Sequence, residues 1–461
     1  MRPSRPALAA LARLAALVSR ASRRLLAAIA LLTVPLQAQD AGRESLGSQA
    51  PDSLSLRALH EAAMARDPRA AVPELLRASR DLRDQVIAGD RFARPLLASQ
   101  LTHQSDVTAL PIRLPGSDVP TPPFTRYQVA LELDQPLYDA GAVQARRAIE
   151  RARSTEAEAD LHSRRYGVTT EVDAAVFTLL LQQVQRDVLR ESRAVIERRL
   201  EEARLGVREG VVLPRDTSLL LAERLQVDEQ LGVVAARTRV AREQLRALTG
   251  REITGDVAVA EVLPPADGSA PMATLERTPR TRPEFARFEA TRARLAEEAR
   301  ATAVEARPRV SAFVQAGVGQ PGLNQLRPDA DAFYLGGVRV SWRPLAGRDA
   351  HRNAEALRLQ QRIVAQEEQA FAEQLARVVL ADRAEIDRLD TLAARDAERI
   401  AARAEVERVA RLELDEGLIT TADWIKAYAE LAEARLVARR HEVERAYALA
   451  RLHTTLALPL P

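Results

Sequence analysis

The chain has 461 residues, 46% of them hydrophobic and 28% charged, which is enough to bury the cores of two or three domains. It contains no cysteine, which excludes disulfides and a lipid-bearing cysteine. The formal net charge is +3, but residues 1–38 hold six arginines and no acid, and the remaining chain carries 61 basic and 64 acidic residues. That balance gives no reason to expect a nucleic-acid partner.

The first predicted element is a secretory signal peptide at residues 1–38. Its arginines precede an apolar run, Leu25–Leu36, and the order charge, apolar run and small residue places cleavage after Ala38. The run is too short to span a membrane, and no later stretch reaches the ~18–20 apolar residues of a transmembrane helix. If the exported protein enters a membrane, it must do so with β-strands.

The rest of the sequence is an internal duplication. Four dipeptide landmarks recur in the same order at offsets of 207 to 215 residues. They are an X-Pro at 67–68 and 282–283, an Arg-Pro at 94–95 and 307–308, a Pro-Leu at 136–137 and 344–345, and a Glu-Gly at 209–210 and 416–417. We expect a first repeat at residues 39–262, a Pro-rich linker at 263–283 and a second repeat at 284–461. Each repeat is predicted to hold a helix, two strands, a very long helix, a turn and a last helix.

The long helices give the strongest periodic signal. In the first repeat, apolar residues at positions 168, 172, 175 and 179 step by 4, 3 and 4, which is the spacing of a coiled-coil seam. The second repeat continues the pattern at positions 375, 379, 386 and 389, with Asp382 where an apolar residue should stand. A single helix from Gly141 to Arg208 would be roughly 100 Å long.

Four short segments are predicted to be strands, and three of them alternate apolar and polar residues as half-buried strands do. Three of them, Tyr127–Gln135, Arg309–Gly317 and Tyr334–Trp342, have about the 9–11 residues of a tilted membrane strand, and a fourth near Leu96–Thr102 is inferred from the repeat. Seven of the 16 aromatic residues lie in or beside these segments, as an interfacial girdle requires. Four strands cannot close a barrel and lipid does not tolerate an open sheet edge, so we expect a shared barrel of at least three chains.

The sequence offers no motif for catalysis, a cofactor or a metal. The run from Gly317 to Gly322 fits GxGxxG, but Pro321 and Pro328 oppose the helix that a dinucleotide site requires, so a hairpin loop is favoured. The six histidines have no metal-ligand spacing, and there is neither a Walker loop nor a G-x-S-x-G. We predict no cofactor and no metal, and no motif favours an enzyme, although an acid/base pair among the 64 carboxylates would leave no motif.

In this order, behind a signal peptide, the elements resemble the TolC-type outer-membrane efflux proteins. The resemblance rests on Gln135–Gly141 (QPLYDAG), its echo Arg343–Gly347 (RPLAG), Leu245–Gly250 (LRALTG) and the two Glu-Gly turns. It implies a mainly α fold, in which long coiled-coil helices form a periplasmic α-helical barrel and four strands per chain contribute to a shared 12-stranded barrel in a homotrimer. It also implies a passive exit duct through outer-membrane lipid, without enzymatic activity of its own and gated at its periplasmic end. In a tripartite efflux or type I secretion system, that duct is joined by a periplasmic adaptor protein and an inner-membrane transporter.

The resemblance assigns roles to the two Glu-Gly turns. They would join the long helices at the periplasmic end, where the adaptor docks, and Gly210 and Gly417 would permit the tight reversals. Acids just beyond the turns would constrict the entrance, which singles out Asp216 and Asp423. The alternative for each aspartate is that it caps the helix that follows.

Lys426 stands where better-known members of the family place a second acid, and it is the only lysine in the protein. Positions 423 and 426 share a helix face, so a threefold axis would set a ring of carboxylates beside a ring of ammonium groups. We predict that Lys426 and Asp423, with Asp216 as a further member, hold the entrance shut with weaker cation selectivity than an acidic ring gives. The alternative is a chance lysine on a solvated helix face.

A second class of function is an exported coiled-coil scaffold without a pore. A scaffold would account for the long helices, but not for the four strands, their aromatic residues or the duplication. Conductance of the extracted protein in a planar bilayer would separate the two classes.

Overall fold

The computed structural model describes residues 55–107, 121–262, 280–324 and 329–458. The predicted signal peptide and residues 263–279 of the predicted linker lie outside this part of the chain. The first half contains α1 (Leu56–Arg66), α2 (Val72–Gly89), β1 (Arg94–His103), β2 (Thr125–Tyr138), α3 (Ala142–Arg208) and α4 (Pro214–Thr249). The second half contains α5 (Pro283–Glu305), β3 (Arg309–Gln320), β4 (Asp331–Ser341), α6 (Ala346–Asp415) and α7 (Thr421–Leu456).

The first half begins with two helices where the sequence predicts one. α1 ends at Arg66 because Pro68 follows closely, and a proline disfavours the α conformation of the residue before it. The carboxylate of Asp67 accepts a hydrogen bond from the N–H of Arg69 (2.9 Å), which starts a short 3-10 turn before α2. From β1 onward, the element order is the one that the sequence predicts, apart from a four-residue helix at Val259–Val262 between α4 and α5.

The predicted helix from Gly141 to Arg208 is observed as α3, a single helix of 67 residues. Gly141 precedes it with a φ of 91°, a left-handed conformation that glycine adopts without steric cost. The Asp139 carboxylate caps the first turn by accepting hydrogen bonds from the N–H groups of Gly141 and Val143, each at 2.9 Å. The matching helix of the second half, α6, has 70 residues, so each rod is about 100 Å long.

The four strands form one antiparallel sheet in the order β1-β2-β3-β4, and each of them extends beyond its predicted span at one end or both, although β4 ends one residue early. Alternation gives the sheet two chemically different faces. One face is apolar and exposed, with Leu97, Leu101, Val129, Leu131, Leu133, Val314, Tyr334, Val338 and Val340. The opposite face carries Gln128, Glu132, Asp134, Gln315 and Arg339. A membrane strand of a barrel shows this pattern, apolar toward lipid and polar toward the lumen.

The helices pack side by side in two different orders along the rods. Next to the sheet the order is α2–α3–α5–α6, and toward the turns at 210 and 417 it is α4–α3–α7–α6. One buried cluster joins α1, α3, α4 and α7 around Phe177, and a second lies nearer the turns around Trp424. None of the described helices has both the length and the apolarity needed to cross a membrane.

Asp382 lies buried on α6, as its place in the predicted seam requires. The Arg451 guanidinium of α7 lies 2.6 Å from its carboxylate, which offsets part of the cost of burying a charge. Burial raises the pKa of Asp382 above its usual value, against the opposing effect of Arg451. Asp382, the polar residue in the otherwise apolar seam, therefore forms an ion pair that joins α6 to α7.

Candidate functional site at the two helix turns

The long helices α3 and α6 end in the same hydrogen-bonded motif. Gly210 and Gly417 have φ values of 78° and 73°. At the first turn, the N–H of Gly210 donates to the Val207 carbonyl (3.2 Å), and the N–H of Val211 donates to the Gly206 carbonyl (2.9 Å). This pair of bonds is a Schellman motif, which satisfies the last carbonyls of a helix and favours glycine at its left-handed position.

The second turn, in the second structural repeat, has the same motif. The N–H of Gly417 donates to the Leu414 carbonyl (3.0 Å), and the N–H of Leu418 donates to the Glu413 carbonyl (2.7 Å). Both predicted glycines therefore lie at a chain reversal. The residue after each glycine, Val211 or Leu418, is 75% or 74% exposed, so each turn presents one aliphatic side chain to its surroundings.

The two turns differ in how the next helix begins. α7 starts with a capping box, in which the Thr420 hydroxyl accepts from the Asp423 N–H (3.3 Å) and Asp423 Oδ2 accepts from the Thr420 N–H (3.0 Å). The Thr420 hydroxyl also lies 2.6 Å from the same oxygen. At α4 the equivalent residue is Leu213, which has no side-chain acceptor, and the helix starts at Pro214 without a side-chain cap.

The predicted entrance acids are therefore not equivalent. The hydrogen bond from the Thr420 hydroxyl and the one from its N–H hold the pKa of Asp423 below its usual value, and the charge of Lys426 acts in the same direction. Both of these bonds use Oδ2, so Asp423 can cap α7 and still present Oδ1 to solvent. The capping alternative thus describes Asp423, whereas the Asp216 carboxylate accepts no capping bond among the described residues.

Asp216 and Lys426 have different surroundings. The Asp216 side chain is 14% exposed, and the nearest cationic atom is Nε of the adjacent Arg215, at 3.9 Å. Lys426 is exposed one helical turn after Asp423 and makes no ion pair within the described residues. The structure thus brings Asp423 and Lys426 onto one exposed face of α7, while Asp216 lies on the other repeat's turn.

Sequence reasoning missed the residue that ties the two turns together. Arg199 of α3 pairs with Asp415 at the end of α6, and its guanidinium lies 5.6 Å from the centre of the Trp424 ring of α7. Trp424 is buried, and its Nε1–H donates to Glu407 Oε1 (3.1 Å). No local signal could have identified this role of Arg199, because Asp415 and Trp424 both lie more than 200 positions away along the chain.

A third glycine shapes the first turn only. A Cβ at Gly206 would lie 2.5 Å from Val212 Cγ2, which is closer than real side chains approach, so the absence of a side chain lets Val212 fold back onto α3. The equivalent position of the second turn is Glu413. Among the described residues, no group of three acidic or histidine side chains is placed to hold a metal ion.

Comparison with known proteins gives the class of this fold. A family model described as outer membrane efflux protein matches residues 101–251, which run from β1 to the end of α4. No curated protein matched the sequence. The structure is similar to the outer-membrane channel OprN, with 19% identity, a TM-score of 0.64 and coverage of 88% of this chain and 90% of that one.

Two further solved structures have the same fold. CusC, whose structures concern transmembrane channel formation, shares 13% identity at a TM-score of 0.65, over 90% of this chain and 96% of that one. The outer membrane protein VceC from Vibrio cholerae shares 13% identity at a TM-score of 0.61, over 88% and 97%.

These comparisons confirm the resemblance inferred from the sequence. The matched segment has the sequence character of the outer membrane efflux proteins, and the described chain has the fold of the outer-membrane channels. The predicted mainly helical fold with four strands is confirmed, and so is the outer-membrane location. The family match and the fold support the role of an outer-membrane efflux channel.

Proposed function

We propose that this protein is the passive exit duct of a tripartite efflux or type I secretion system. In this proposal it is a homotrimer whose strands close one barrel in outer-membrane lipid and whose helices continue the duct through the periplasm. A periplasmic adaptor protein docks at the helix turns and connects the duct to an inner-membrane transporter. The two structural repeats, at residues 39–262 and 284–461, would each supply half of one protomer's wall.

The observation that carries the proposal is the pair of free sheet edges. β1 and β4 are the two ends of the four-stranded sheet, and one face of that sheet is apolar. Unpaired backbone groups are costly in lipid, so each edge needs a partner strand. Pairing β4 of one copy with β1 of the next closes twelve strands, which at a spacing of about 4.8 Å and a tilt of about 40° enclose a backbone diameter of about 24 Å.

The outermost helices support the same closure. α2 exposes Leu75, Leu82 and Val86, which repeat at helical spacing, and α4 exposes Leu219, Val233 and Val240, which do so as well. α6, at the other side of the helix row, exposes Leu359, Ile363, Val406 and Val409. These stripes are left uncovered by the described part of one chain, and a neighbouring copy in a closed ring would cover them.

The turns support the docking and gating part of the proposal. A trimer would present six similar turns, each with an exposed aliphatic residue after Gly210 or Gly417. Asp423 and Lys426, on one face of α7, would form the narrowest ring, and Asp216 would add a carboxylate from the other repeat. Exposed ion pairs contribute only about 0–1 kcal/mol each, so this mixed ring would be a shallow lock that adaptor docking opens.

The test uses the full chain extracted in mild detergent. We expect a trimeric mass and a stepwise conductance in planar bilayers. Charged substitutions on the apolar sheet face, such as Leu131→Glu, should abolish insertion, whereas Glu132→Gln on the opposite face should not. A stable monomer of native secondary structure, or a trimer that never conducts, would refute the proposal.

A further inference from the structure

The polar face of the sheet carries a cluster of charged and aromatic side chains near its helix-proximal end. Arg339 lies on β4, two residues before the end of the strand. Its Nη1 lies 3.4 Å from Asp134 Oδ2, and its Nη2 lies 4.0 Å from Glu132 Oε1, both on β2. The guanidinium carbon lies 4.7 Å from the centre of the Phe313 ring on β3. We call Glu132, Asp134, Phe313 and Arg339 the collar cluster.

The strands hold this cluster in place. Phe313 is paired in register with Gly337, and a Cβ there would come within 3.1 Å of the ring, so the ring lies across the glycine. The Ser311 hydroxyl donates to Asp134 Oδ2 (3.2 Å). The Arg339 cation lies above an aromatic face and between two carboxylates, and it is attracted by the ring and by the carboxylates. Arg339 is nevertheless 54% exposed, so its charge also acts on what passes over the sheet.

The strand register places the cluster away from the apolar face. Asp134 pairs with Phe313, and Phe313 pairs with Gly337, so these positions point to the same side. Leu131, Leu133, Val338 and Val340 alternate with them and point to the other side. In the proposed barrel, the collar cluster therefore lines the lumen.

We propose that Arg339 sets the charge preference of the barrel lumen by offsetting Glu132 and Asp134. This inference rests on the proposed trimeric duct, and it concerns the membrane end of that duct rather than its entrance. Three copies would place three Arg339 side chains among six carboxylates, and Arg94, paired in register with Asp134, and Arg309, paired with Ser341, add cations on the same face. Such a ring of mixed charge has no strong preference for either sign, so the barrel would admit cargo of either charge.

The dimensions make the effect measurable. The side chains reach inward from a wall about 24 Å across, so the charges lie within about one Debye length of the axis at 0.1 M salt, where that length is about 10 Å. At 1 M salt the length falls to about 3 Å, and the ring should then be screened. The 70 residues of α6 separate this ring from the turns by about 100 Å, so it acts independently of Lys426 and Asp423.

The test is the cation-to-anion permeability ratio of single trimers in planar bilayers, in 0.1 M and 1 M KCl. Arg339→Gln should raise the ratio about threefold at 0.1 M, and Arg339→Glu should raise it further. Asp134→Asn should lower the ratio by a similar factor. Arg339→Lys, which keeps the charge, is the matched control and should leave the ratio unchanged, and all shifts should shrink at 1 M.

Opposite shifts for Arg339→Gln and Asp134→Asn support the proposal, because a distorted barrel would not move the ratio in two directions. Equal ratios in a conducting wild type and in both variants, or shifts in the same direction, overturn the inference and leave the duct proposal standing. A wild-type trimer that does not conduct overturns the duct proposal itself. If Arg339→Gln fails to assemble, Asp134→Asn with Glu132→Gln decides, since an unchanged ratio there also overturns the inference.

Discussion

The two helix turns have the same backbone conformation but differ in the side-chain contacts that stabilise them. Both reverse the chain through a glycine with positive φ and the same pair of backbone hydrogen bonds. The second turn then starts α7 with a capping box between Thr420 and Asp423, while the first starts α4 at Pro214 with no side-chain cap and packs Val212 over Gly206. The reversal is thus a property of the repeat, and the stability of each turn is a property of its own residues.

The largest expected effect comes from the glycine with positive φ that both turns share. Replacing Gly210 or Gly417 with valine forces a β-branched residue into a left-handed conformation, which costs at least about 1–2 kcal/mol. We expect the trimer and its barrel to persist, because both lie far from the turns, and export to fail. Efflux assays and adaptor cross-linking on the same variants measure this. Unchanged export with unchanged cross-linking would show that the turns are not the docking surface.

The second prediction concerns the positive charge of Lys426, which lies just after the second turn and has no counterpart at the first. Lys426→Asp replaces three positive charges of a trimer with three negative ones beside Asp423. We expect a several-fold rise in cation preference at low salt and stronger block by divalent and trivalent cations. Lys426→Arg is the control that keeps the charge. Equal selectivity and equal block in Lys426→Asp would place this residue outside the pore.

The third prediction concerns the packing of Val212 over Gly206, which distinguishes the first turn from the second. Gly206→Ala should destabilise the first turn by about 1–3 kcal/mol, because the new Cβ overlaps Val212. Glu413→Ala, at the same position of the second turn, adds no atom there and should cost little. Hydrogen exchange of the turn amides compares the two directly. Similar protection in both variants would mean that the contact between Gly206 and Val212 is not a constraint.

A fourth pair of variants exchanges the caps. Thr420→Ala removes the capping box of α7 and should cost about 1 kcal/mol of local stability. Leu213→Thr would place a threonine three residues before Asp216 and should build a box at α4, slowing amide exchange in its first turn. If Leu213→Thr brings no protection, the first turn differs in geometry as well as in its residues.

The smallest expected effect is on titration. Because the pKa of Asp423 is depressed in the folded chain, its stabilising interaction is fully present above the unfolded pKa and is lost as pH falls through the folded value. Thr420→Val removes the hydroxyl that makes the largest contribution, so the pKa of Asp423 should rise toward its usual range. Titration of the Asp423 carboxyl by NMR, in wild type and variant, tests the direction. A lower pKa in the variant would contradict it.

The fold was largely predictable because its signals are local and repeated. The seam residues predicted α3 to within one residue, and the alternation in Tyr127–Gln135 predicted a strand that the structure extends to Thr125–Tyr138. The extra helix α1 was missed, since Asp67-Pro68 was read as a repeat landmark and not as a helix end. The extensions of β2 were missed because Thr125–Arg126 and Pro136–Tyr138 interrupt the alternation of apolar and polar residues.

The candidate site was predictable in position and less so in detail. The capping box at α7 was visible as Thr420-x-x-Asp423, a spacing that is itself a helix-start signature. The link from Arg199 to Asp415 and Trp424 was not visible, because it joins distant helices through one of 66 arginines. Local hydrogen bonds follow from neighbouring residues, whereas long-range ion pairs require the packed structure.

Lys426 has a practical consequence as the sole lysine of the chain. An amine-directed reagent can modify only this side chain and the chain's N-terminus, so the proposed entrance would carry its own chemical handle without any substitution. The number of reagent molecules added per trimer, measured as a mass increment, would count how many of the three lysines solvent reaches. Reagents of increasing bulk would then work as a sieve, and the largest one still incorporated would give the width of the opening before and after adaptor is added.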